Sequence, residues 1–139
     1  MLAKCNKPKL WYEQKYVCIN ATLNGAYAFE LTGFTGTAAP FTPFASVRNT
    51  NFNGAGTFSG RGYRVVASSE LENRVSGTYR VQNNCSVTFN YSVFRLDGTK
   101  TDDAVLFGVI TDNGDKVRIV LRTASGVPGT YSGVFEKVR

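Results

Sequence analysis

Histidine is absent from this sequence, and its absence excludes more chemistry than any single residue supplies. Without an imidazole there is no common general base near neutral pH, no Ser-His-Asp or Cys-His nucleophile, and no His-ligated zinc or haem. No glycine-rich loop leads into a helical pattern, so a P-loop is excluded as well. The three cysteines do not stand at metal-ligand spacing. No metal and no cofactor is expected. Asp97, Asp102, Asp103, Asp112 and Asp115 fall at expected hairpin ends, where aspartate serves turns rather than a calcium site.

Tyrosines and arginines remain. Tyr27, Tyr79 and Tyr91 are the candidate catalytic groups, because phenol hydroxyls can stabilise a developing oxyanion. They would suit a cofactor-free cyclase or isomerase, whose main task is to fold a flexible substrate into a reactive conformer. Phe29, Leu31, Phe89 and Phe107 are candidate walls of an apolar pocket. Arg48 joins them as a group that could hold a carboxylate or enolate if it pointed inward, although the alternation reads as setting Arg48, Arg118 and Arg122 toward solvent. The primary expectation is a barrel that binds a small hydrophobic molecule in its interior. The cyclase or isomerase is one alternative, and an exported structural protein with a filled core is another.

Side chains in these roles need a scaffold with a two-residue period. Tyr27, Phe29 and Leu31 alternate with Ala28, Glu30 and Thr32, and similar alternation recurs at Val75–Val81, Val87–Val93 and Val117–Leu121. Pro40 and Pro43 mark a loop after the first strand, and Gly60 and Gly62 predict a bulge or sharp curl in the third. Residues 103–110 form a nearly continuous apolar run, expected to be buried on both faces or to lie at the core's centre. Asp112-Asn113-Gly114-Asp115 is the strongest hairpin signal. About eight short strands without a long crossover predict a closed, mostly up-and-down antiparallel barrel, which removes the exposed edges of a flat meander. A β-sandwich is the alternative. Residues 1–23, richer in lysine, read as an N-terminal arm covering one mouth, and residues 24–139 as the barrel.

With 139 residues, 42% hydrophobic and 19% charged, the chain has the size and composition of one folded domain. The net charge of +6 is spread along the chain rather than clustered, so no specific nucleic-acid partner is expected. No apolar run approaches the ~18 residues of a membrane helix. No secretory leader opens the sequence, so a secreted or periplasmic location requires that one has been removed; otherwise the location is cytoplasmic. The oligomeric state is open, a homodimer included. Cys18 and Cys85 are the candidate disulfide pair, with reduced, half-buried thiols as the alternative; any pairing leaves one cysteine over.

Four segments carry a family resemblance: Leu23-Asn24-Gly25-Ala26-Tyr27-Ala28-Phe29, the stretch 53–60, the Gly-Thr-Tyr strand Gly77-Thr78-Tyr79 leading through Asn83-Asn84 to Cys85, and Ser132-Gly133-Val134-Phe135. Together they resemble calycin-like barrels, lipocalin-like in architecture, and a set of small bacterial exported barrel proteins. Allene oxide cyclase and dirigent-like barrels share the general form. The resemblance covers about residues 20–139 and implies a fold. It implies no ligand, since the biotin and haem patterns of related barrels are missing here.

Overall fold

A computed structural model describes residues 17–139. Eight strands follow in chain order: β1 (Asn24–Thr35), β2 (Thr42–Asn53), β3 (Thr57–Val66), β4 (Ser69–Val81), β5 (Ser86–Arg95), β6 (Lys100–Thr111), β7 (Lys116–Ala124) and β8 (Gly129–Lys137). Each pairs antiparallel with the next, and β8 returns to β1, so the sheet closes. The sandwich alternative is thereby set aside. First sixteen residues of the expected arm lie outside the described residues; Val17–Leu23 precede β1 and include a 3-10 turn, Asn20–Thr22.

Alternation sets the interior. On β1 the buried side chains are Tyr27, Phe29 and Leu31, and on β2 they are Phe44, Ser46, Arg48, Thr50 and Phe52. The pleat forces these choices, because residues two apart must share a face. Gly60 and Gly62 produce no break in pairing, contrary to the expected bulge: the β2–β3 and β3–β4 registers run through both positions. They act through close approach instead. A methyl group at Gly62 would collide with the Val47 carbonyl oxygen and Arg48 Cα, and one at Gly60 would sit 3.0 Å from Arg48 Cδ. The register shifts fall elsewhere, at Val93/Phe94 and Val105/Leu106.

One end of the barrel is a plugged base. Leu23 and Cys18 are buried there, and Cys18 and Cys85 form a disulfide with Cα atoms 4.9 Å apart. The Tyr27 hydroxyl donates to the Gly114 carbonyl, and the Tyr79 hydroxyl lies 2.9 Å from the Leu23 carbonyl oxygen and 3.1 Å from that of Asn20. Above this base the core is aromatic. The Phe52 ring centroid lies 5.1 Å from those of Tyr27 and Tyr79, 5.2 Å from Phe135 and 5.8 Å from Phe89. These are packing distances for aromatic pairs, so the rings leave no ligand-sized space between them.

The apolar run at 103–110 is not buried on both faces. Asp102, Ala104, Leu106, Gly108 and Ile110 point inward, whereas Phe107 and Val109 are exposed on the outer wall. Phe107 therefore cannot line the interior. The outward apolar residues satisfy strand propensity rather than the core, which is why composition alone misreads the segment.

Candidate functional site

Toward the opposite mouth the inward residues change character. Ser46, Arg48, Thr50, Asn73 and Asp102 are buried polar side chains in an all-β core, and all but Thr50 border one cavity of about 30 Å3. A cavity of this size has room for about two waters, at roughly 10–15 Å3 each. Its remaining wall includes Arg64 and Tyr91, with apolar contributions from Leu31, Phe44, Val93, Leu121 and Val127. Wider hollows on the outer face, such as that of 610 Å3 beside Arg61 and Arg74, are open grooves.

Each polar group reaches the cavity through its strand's parity. Arg48 shares a face with Phe44 and Phe52 on β2, Asn73 with Val75 and Tyr79 on β4, and Asp102 with Ala104 and Leu106 on β6. Arg64 follows Phe58, Gly60 and Gly62 along β3, where the two glycines leave space for the Arg48 stem. Arg64 Nη1 lies 3.0 Å from Asp102 Oδ1, and the same carboxylate accepts a 2.6 Å bond from Thr101 Oγ1. Arg48 has no ion pair among the described residues. Its guanidinium lies 4.3 Å from the centroid of the Phe29 ring and 5.5 Å from that of Tyr91, within cation–π range.

Four buried polar atoms on the cavity wall lack a hydrogen-bond partner: Ser46 Oγ, Arg48 Nε, and Asn73 Oδ1 and Nδ2. Each such atom costs about 1–3 kcal/mol if left dry. Their gathering around one void marks a place where something polar belongs. Burial lowers the Arg48 pKa from its ordinary value, with Tyr91 and Asp102 opposing the change. Burial raises the Tyr91 pKa, and the Arg48 charge partly offsets it. The Tyr131 phenol, also driven by burial, is pushed up to about 12.

Two guanidinium groups facing one carboxylate leave the cavity with one excess positive charge. Such a site can orient an anion or stabilise negative charge forming on a bound molecule.

The sequence-selected residues divide between the two ends. Arg48, Tyr91 and Leu31 border the polar cavity. Phe29 stacks on Arg48, and Phe89 belongs to the aromatic core. Tyr27 and Tyr79 stand at the base, with hydroxyls bonded to backbone carbonyls, so the three tyrosines do not converge. Phe107 faces outward. Arg48 points inward, against the solvent-facing reading of its alternation; Arg118 and Arg122 are exposed. Ser46, Asn73, Asp102 and Arg64 were not selected as site residues, although their parity with flanking aromatic or aliphatic positions was available.

No protein-family model matches the chain, and no match was found among curated proteins. A solved structure does. It is a designed protein described as a de novo fluorescence-activating β-barrel, similar to this chain with a TM-score of 0.52 and 14% identity over 84% of this chain and 94% of that one. At that identity the likeness concerns the fold. Among the described residues there is no helix long and apolar enough to cross a membrane, and no cluster of three metal-ligating side chains.

Proposed function

We propose that this barrel binds a small molecule at the mouth opposite its plugged base, placing a polar group of that molecule in the Arg48 cavity. The supporting observation is the set of four unpartnered buried atoms around one void. The filled aromatic half argues against a wholly hydrophobic ligand lying deep in the interior. An apolar portion would rest instead against Leu121, Ala124 and Val127, which are only partly buried. The designed barrel is described as fluorescence-activating, and its likeness supports ligand binding as a use of this architecture. A calycin-like affiliation fits the same reading.

The test is a two-dimensional amide NMR spectrum of the protein with a fragment set of small acids, amides and alcohols. Shifts confined to residues around Ser46, Asn73 and Asp102, with those of Tyr27 and Tyr79 unchanged, are expected. Absence of any fragment-induced shift at the cavity would remove the proposal.

A filled structural barrel is the second reading, favoured by the packed rings around Phe52. The cyclase or isomerase has narrower support, since Tyr91 alone of the three tyrosines adjoins Arg48. We also propose an oxidising compartment, periplasmic or extracellular, because a disulfide closing the base persists where thiols are not kept reduced.

A further inference from the structure

We infer that the polar group taken by the cavity is a carboxylate, carried on a slim apolar chain; this rests on the binding reading above and names its ligand class. Charge is the first argument. Asp102 is committed to Arg64 and Thr101, which leaves Arg48 as the cation without a counter-ion among the described residues. Donor chemistry is the second. Of the four unpartnered atoms Arg48 Nε, Asn73 Nδ2 and the Ser46 hydroxyl can donate and only Asn73 Oδ1 must accept, a majority that suits an ionised carboxylate, an acceptor with two oxygens and several lone pairs. Shape is the third. The Phe29 ring lies over the guanidinium and the Tyr91 side chain both faces and hydrogen-bonds it, so the N–H edge beyond Tyr91, Nε included, is what remains for a ligand. A planar carboxylate meets that edge in plane. The volume of about 30 Å3 takes such a head group and little else, so the body of the molecule must extend past Leu121 and Val127 into the mouth. A phosphate or sulfate ester is bulkier than the cavity takes, and a phosphate monoester also carries more charge than the single excess cation matches.

The experiment compares butyrate with its uncharged isostere butyramide by calorimetric and NMR titration of the full chain in chloride-free buffer. Butyrate is expected to bind about tenfold or more tightly than butyramide. Arg48→Met should lose the butyrate preference, and Arg48→Lys should keep part of it through the retained charge. Thermal unfolding of both variants establishes that they are folded. Equal binding of the two probes, unchanged in Arg48→Met, would overturn the carboxylate class while leaving the binding reading intact. Chloride reproducing the butyrate shifts at the same concentrations would also overturn it, since the site would then be for any small anion. If neither probe shifts the cavity residues, both the inference and the reading beneath it fail.

Discussion

Replacing Arg48 by methionine separates a residue kept for a ligand from one kept for the fold. Methionine matches the apolar stem of arginine as far as Nε and can occupy the space beside Gly60 and Gly62. The substitution removes a buried guanidinium without an ion pair, a burial whose effective cost is several kcal/mol. It also removes the unmade hydrogen bond at Nε, about 1–3 kcal/mol. Against this stand two ring contacts, about 2 kcal/mol each when desolvated. Sulfur–aromatic contacts of methionine return about 0.3–1.5 kcal/mol of that loss. The balance is a variant more stable than the native protein by about 1–3 kcal/mol, in line with other buried ions replaced by apolar residues. At about 4 °C per kcal/mol for a domain of this size, Tm should rise by roughly 4–12 °C. Urea unfolding followed by circular dichroism measures the change, with an unaltered m-value expected if the unfolded state is unaffected. With saturating butyrate at about 100 times the native Kd, the native protein should gain about 2.7 kcal/mol and the variant, binding about tenfold or more weakly, no more than about 1.4 kcal/mol. A loss of 2 kcal/mol or more in ligand-free Arg48→Met would refute the reasoning, because Arg48 would then be satisfied by the fold itself.

Three further outcomes follow from the rest of the barrel. Replacing both Cys18 and Cys85 by serine frees a chain separation of 67 residues and should cost about 4 kcal/mol in the chain-entropy model, read by urea unfolding. Tyr79→Phe should cost about 1–2 kcal/mol, because the Leu23 and Asn20 carbonyls lose their shared donor, while butyrate binding stays unchanged. The folded protein keeps Tyr131 neutral to about 12, whereas the unfolded chain ionises it near 10.0. This contribution to stability is therefore full below about pH 10 and is lost as pH rises toward 12, which Tyr131→Phe should flatten in alkaline unfolding curves.

Much of the architecture was legible in the alternation. Tyr27, Phe29 and Leu31 read as one face and form one, and the turns at Asn53–Gly56 and Asp112–Asp115 fall between strands. The cavity was harder. The alternation reads as turning Arg48 toward solvent with Arg118 and Arg122, yet Phe44 and Phe52 bracket it at even positions and share its buried face, so that reading sets the frame of period two on the wrong neighbours. Asp102 was hidden similarly by its resemblance to a hairpin-end aspartate, although Ala104 and Leu106 share its parity. Phe107 erred in the opposite sense, since an aromatic ring in an apolar run suggests a core that its odd position denies. Nothing in the sequence announces that Tyr27 and Tyr79 reach backbone carbonyls at one end while Tyr91 stands toward the other, because barrel height depends on register between distant strands.

The Arg48 Nε–Hε resonance in a nitrogen–proton NMR spectrum reports the decisive group itself. A signal that moves markedly with butyrate, moves far less with butyramide at the same concentration, and vanishes in Arg48→Met is expected. A resonance already shifted as for a strong hydrogen bond and indifferent to both compounds would contradict that expectation.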